Sequence, residues 1–176
     1  MAAQLDITGN ALSANKLQGD GMVLLDEAIM NLITFEADPL PQLHACVKID
    51  RTCGLVNCLL VFELLRNPPV NMPDSAGGNS SNRSSRSESQ YAIPRLLSSL
   101  EERFDSLSQR EQYLASAALA WSQGHYSRCS ALLESAILLS PGDTLALRLA
   151  QDCYLAAGDS RNSLACVTRC LQVRVS

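Results

Sequence analysis

The sequence predicts an all-α protein: a short right-handed α-solenoid of stacked helical hairpins, with a disordered loop inserted inside one pair. Three observations carry this reading. Apolar residues recur at helical spacing along most of the chain, and nothing alternates with period two over a useful length. Helix stops recur at Gly124, Pro141-Gly142 and Gly158. The C-terminal part also resembles itself after a shift of 34 residues.

The elements follow in order. Residues 1–21 lack a helical stripe and read as a flexible N-terminal segment. Residues 22–35 then carry Leu25, Ala28, Ile29, Leu32 and Ile33 on one face, and Pro39 and Pro41 are expected to stop that helix. Shorter helices are expected over 42–49 and 55–66, so that 22–66 reads as degenerate helical repeats. Composition changes at Asn67. Residues 67–90, NPPVNMPDSAGGNSSNRSSRSESQ, hold few groups able to enter a core and are expected to be disordered. This loop carries two N-x-[ST] sequons, at Asn79 and Asn82, and a candidate phosphorylation stretch over 83–87.

The remaining segment, 91–176, reads as one helix followed by two tandem repeats, 110–143 and 144–176. Ile93, Leu96, Leu97, Leu100 and Phe104 form the stripe of the first helix. Ser108 with Glu111 makes a capping box that starts the next helix, which runs to about Ser122. Another helix covers 126–139 and a third runs from Asp143 or Thr144 to Ala157. Ser160 is the expected N-cap of the last. The predicted pairs are 22–36 with 42–49, 55–66 with 92–104, 110–122 with 126–139, and 144–157 with 161–175. The loop protrudes from the edge of the second pair.

The repeat is legible residue by residue. Gly124 falls on Gly158, Cys129 on Ser163, Leu133 on Val167, Ala136 on Cys170, Ile137 on Leu171 and Leu139 on Val173. Small residues permit close helix approach, glycine permits the tight turn, and Pro141 ends the second helix. A 34-residue period with two helices per unit is the tetratricopeptide signature. Ala120 stands where such a repeat usually carries a large aromatic, with Trp121 beside it, and Ser160 replaces the aromatic that Tyr126 provides.

Residues 110–159 resemble the tetratricopeptide repeat protein 38 family. The resemblance lies in the opening Arg110-Glu111-Gln112, the turn Gly124-His125-Tyr126, the exit Pro141-Gly142-Asp143, and a helix Ala146-Leu147-Arg148 leading to Asp152-Cys153-Tyr154. It covers about residues 106–170 and is weaker over 22–66. There Asp50-Arg51 stands for an expected Asp-Pro, and Asn57 for an expected His. The resemblance implies a helical repeat protein with no enzymatic activity. Family members are longer, so it also implies an N-terminal portion, a truncated gene product or a short isoform.

Function is read from the face such repeats present. The first helices of tandem repeats line a concave groove that takes peptides or partner helices. The groove candidates are Glu111, Leu114, Ala118, Trp121, Ser122, Arg148, Asp152 and Leu155. One arginine cannot make a carboxylate clamp, and Arg148 with Asp152 reads as an i, i+4 surface ion pair. Trp121 is open to two readings, a groove anchor or an inter-repeat core residue. The expected function is a non-catalytic protein–protein interaction scaffold or adaptor. Two alternatives stand beside it: a repeat fragment with no independent activity, and a small thiol-dependent enzyme or regulatory subunit. A Cys/His nucleophile would have to use Cys46 with His44 or Cys129 with His125. No H-E-x-x-H, G-x-S-x-G or phosphate-cradling glycine loop occurs in the sequence.

Composition narrows the partners. The chain has 176 residues, 47% of them apolar, which supplies a sizeable core. With 14 basic and 18 acidic residues it carries −4, and no basic stretch is concentrated, so nucleic acid is not expected as a partner. Aromatics make up 5% and there are two histidines, thin equipment for base stacking or acid–base chemistry. The seven cysteines, at 46, 53, 58, 129, 153, 166 and 170, suit neither a disulfide framework nor a closed zinc site, and read as small apolar residues. No cofactor, metal or membrane is expected, and the expected location is the cytoplasm. Leu164, Val167, Leu171 and Val173 leave an apolar face on the last helix, which predicts self-association through it.

Overall fold

The computed structural model describes residues 5–7, 9, 12, 17–67 and 81–175, with backbone alone over 81–91 and 173–175. Eight α-helices follow one another among these residues: α1 (Asp20–Thr34), α2 (Leu40–Ile49), α3 (Gly54–Arg66), α4 (Ser81–Glu102), α5 (Gln109–Ser122), α6 (Tyr126–Leu139), α7 (Thr144–Ala157) and α8 (Ser160–Val175). A 3-10 turn, Phe104–Ser106, joins α4 to α5, and the described residues contain no strand.

Local chemistry accounts for most boundaries. The Ser108–Glu111 capping box is present, with the Glu111 N–H donating to Ser108 Oγ and the Glu111 carboxylate accepting from the Ser108 N–H at 3.1 Å. Gly158 closes α7 in the left-handed conformation at φ 69°. Three boundaries differ from expectation. α1 ends at Thr34, with Phe35 in the left-handed region at φ 61°, so Pro39 and Pro41 open α2 and do not stop α1. α8 includes Ser160, and its cap is Asp159, whose carboxylate accepts the Asn162 N–H at 3.1 Å. α4 begins at Ser81, eleven residues before the expected start, because no glycine or proline interrupts the backbone between 81 and 93. The rest of the expected loop, 68–80, lies outside the described residues. So does most of the 1–21 segment, but Asp6, Leu12 and Leu17 within it are buried.

Each helix packs on its neighbour in the chain, from α1 on α2 through to α7 on α8. Two further contacts organise the molecule: α3 lies along α5, and α1 reaches across to α7. α3 is the central element, buried continuously from Leu55 to Leu64. Its first residue, Gly54, lets Leu107 close in: a Cβ there would sit 2.4 Å from the end of the Leu107 side chain, which would have to shift. Alanines 115, 117, 118 and 120 give α5 the narrow profile that lets its neighbours close in on several sides.

Candidate functional site

α7 presents Arg148, Asp152 and Leu155 at i, i+4, i+7 spacing, one stripe of the helix. The stripe meets the ends of two other helices. Arg66, in the last turn of α3, approaches Asp152 at 3.4 Å and holds Glu63 at 2.6 Å. Arg148 donates to Asp152. Phe35, the C-cap of α1, lies over both cations, with its ring centre 4.0 Å from the Arg148 guanidinium and 5.9 Å from that of Arg66. Burial raises the Glu63 carboxyl above its ordinary value against the opposing pull of Arg66. Two carboxylates and two guanidiniums make the cluster neutral as a set. Phe35 remains 67% exposed and Leu155 71% exposed, so the cluster is rimmed by apolar surface.

The structure separates the eight sequence-predicted groove residues into three groups. Arg148, Asp152 and Leu155 stand at this rim. Ser122 is half-buried, with its hydroxyl donating to the Leu119 carbonyl at 2.7 Å. Glu111, Leu114, Ala118 and Trp121 are buried and cannot line an open groove, which corrects their assignment. Their stripe is turned toward α3. A Cβ on Gly54 would lie 3.4 Å from the Glu111 carboxylate, and the Trp121 ring meets Phe62 edge-on at 5.7 Å. Trp121 also meets Tyr126 edge-on at 5.9 Å, so it packs as a core residue shared by α3, α5 and α6.

Sequence reasoning missed a buried ion triad. Arg110, 6% exposed, binds Asp143 through Nε at 2.6 Å and Nη2 at 3.2 Å, and Asp6 through Nη1 at 2.9 Å. Both carboxylate side chains are fully enclosed. Burial disfavours the guanidinium's charge, but the two carboxylates override it and raise its pKa above the ordinary arginine value. Asp143 also caps α7, accepting the Ala146 N–H at 3.0 Å. Next to Asp6, the Ile7 N–H donates to Asp26 of α1 at 3.0 Å. The N-terminal residues thus strap α1 to the starts of α5 and α7. An N-cap aspartate one repeat after an arginine was the signal available for half of this triad. Nothing local pointed to Asp6.

All seven thiols are free and buried. Burial pushes Cys46 up to about 11, and Cys53 and Cys166 up to about 12. In the Cys129–Cys153 pair, a hydrogen bond from the first thiol to the second sulfur raises Cys129 and lowers Cys153. Both are enclosed, and Cys153 Sγ lies 3.0 Å from the Tyr126 carbonyl. His44 and His125 are exposed while Cys46 and Cys129 are buried, so neither weighed Cys/His pairing shares an accessible surface. Among the described residues no cluster of three His, Cys, Asp or Glu side chains could hold a metal ion, and no helix is long and apolar enough to cross a membrane.

Comparison with protein-family models, with curated proteins and with solved structures finds no match in any of the three.

Proposed function

We propose that this chain is a non-catalytic protein–protein interaction module, a scaffold or adaptor of tetratricopeptide-like hairpins, similar to the tetratricopeptide repeat protein 38 family. The 34-residue periodicity and the sequential packing of α1 through α8 support the hairpin reading. The partner surface is the rim at Phe35, Arg148, Asp152 and Leu155, with α1 in place across the stack.

One observation carries this reading. Phe35 is held exposed in a left-handed backbone, a conformation disfavoured for a bulky side chain, above two guanidiniums whose charges are already balanced. A neutral cluster with exposed apolar edges suits an amphipathic helix contributing apolar side chains, and does not suit a terminal carboxylate. The test places a photo-crosslinking residue at position 155 and, as a control, at the exposed position 128 on α6. Specific adducts from position 155 that disappear in Phe35→Ala are the expected result. Equal labelling from both positions would refute the assignment.

A further inference from the structure

Two exposed helix faces, distinct from the rim, match one another. On α1, Asp20, Val23, Glu27 and Met30 are all exposed and follow the spacing i, i+3, i+7, i+10. On α8, Arg161, Leu164, Thr168 and Leu171 are all exposed and follow the same spacing. Val23 and Met30 are 55% and 41% exposed, Leu164 and Leu171 70% and 58%. In each helix the two apolar knobs are seven residues apart, about 10.5 Å along the axis. This is the a/d stripe of a helix pair, present twice and unpartnered both times.

Charge distinguishes the two faces. α1 carries Asp20, Asp26 and Glu27 and no lysine or arginine, while the described side chains of α8 include Arg161 and Arg169 and no carboxylate, Arg169 being ion-paired with Glu134 of α6. Beside the α1 stripe lies a depression of 470 Å³ lined by Ile7, Val23, Asp26, Glu27, Met30, Asn31 and Gln42. On the opposite side of α8 an apolar cleft of 320 Å³ runs between Cys166 and Cys170 and Ile137 and Leu138 of α6.

We propose that the occupant of the α8 face is the α1 face of a second copy of this chain. Laid parallel, Asp20 meets Arg161, Val23 meets Leu164 and Met30 meets Leu171, with Glu27 beside Thr168. The two like-charged alternatives, α1 on α1 and α8 on α8, set acid against acid or arginine against arginine. An α1-to-α8 contact is heterologous. A pair joined by one such contact keeps one unused face of each kind, so association extends head to tail wherever the second contact is not made back within the same pair.

The experiment measures mass by light scattering on the full chain and on two blocked variants, V23E/M30E and L164E/L171E. All four positions are exposed, and circular dichroism confirms that the helices persist. Wild type is expected to grow beyond dimer with concentration at low ionic strength, and each blocked variant alone is expected to be monomeric. Their equimolar mixture is expected to stop at a 1:1 dimer, because one intact face of each kind remains. D20R and R161D each weaken association about 2–5-fold, the range of an exposed ion pair, and D20R/R161D restores it. A wild type that stays monomeric across the micromolar range overturns the proposal. So does a blocked variant that associates alone, a mixture that stays monomeric, or a double swap that does not recover.

Discussion

Replacing Arg110 with methionine leaves two carboxylates, Asp6 and Asp143, enclosed and without their cation. Methionine fills most of the stem volume, so the change isolates charge from packing. Removing one partner of a buried ion pair costs about 3–5 kcal/mol, because the group left behind must be desolvated unpaired or must take up a proton. Net stabilities run about 5–15 kcal/mol, so the loss is a large fraction of the whole. With a urea slope of about 2 kcal/mol/M, the midpoint should fall by roughly 1.5–2.5 M. Asp6→Asn keeps both Arg110–Asp143 bonds and replaces the carboxylate that accepts from Nη1 with a neutral amide, which should cost up to about 1.5–3 kcal/mol. The two substitutions share a partner and must not add. Introduced into the Arg110→Met variant, Asp6→Asn should be neutral or stabilising, since it removes one of two enclosed carboxylates that have lost their shared guanidinium. The assay is urea denaturation of the four proteins of this cycle, followed by circular dichroism. A loss below about 1 kcal/mol for Arg110→Met, or simple additivity, would refute the claim that the triad fastens the N-terminal strap.

Three more outcomes follow from the same structure. Cys46, Cys53 and Cys166 stay protonated in the folded chain where unfolded thiols ionise, near 9, so their contribution to stability should be intact below pH 9 and fall as pH rises toward 11–12. A thiol-specific dye should correspondingly react with the native protein only at the rate of its opening, and rapid reaction of one cysteine at neutral pH would favour the thiol-enzyme alternative. Gly124→Ala and Gly158→Ala should each cost about 1 kcal/mol and add, since both backbones are left-handed with open space around them, whereas Gly142→Ala should be silent in a melt. Trp121→Ala should cost about 3–5 kcal/mol in denaturation, as a core aromatic does; a groove anchor would instead lose binding with its stability unchanged.

What the sequence made legible was local. Seven of the eight helices begin and end within two residues of expectation because caps and glycines act over one turn, as Ser108 with Glu111 and Gly158 do. The beginning of α4 was illegible, since residues 81–90 carry no apolar stripe that could mark a helix. The face of α5 was illegible for the opposite reason. With Leu114, Ala115, Ala117, Ala118, Ala120 and Trp121 all apolar and all buried, periodicity cannot say which side meets α3 and which meets α6. α7 has a sharper division, so the sequence sets Arg148, Asp152 and Leu155 on one stripe, and the structure leaves Leu155 exposed with Arg148 and Asp152 half-buried beside it. Asp6, 104 residues from Arg110, belongs to a class of contact that no spacing rule reaches.

The strap and α1 together decide how a partner can approach. α1 is fastened at its middle through Asp26 to the residues beside Asp6, and its C-terminal end stops at Phe35 over Arg148. Along its length Leu25, Ile29 and Leu32 are wholly or almost wholly buried. Each such side chain stabilises by about 1.5–3 kcal/mol, so peeling α1 away would cost roughly 5–9 kcal/mol before the strap is released. A micromolar interaction supplies about 8 kcal/mol. A partner of ordinary affinity would spend all of that on displacing α1 and gain no net binding. The surfaces open to recognition are therefore those that leave α1 seated, namely the Phe35–Leu155 rim and the outer faces of α1 and α8. Substitutions at Leu155, Val23 or Leu164 should change association without changing stability, whereas those at Leu25 or Ile29 should do the reverse.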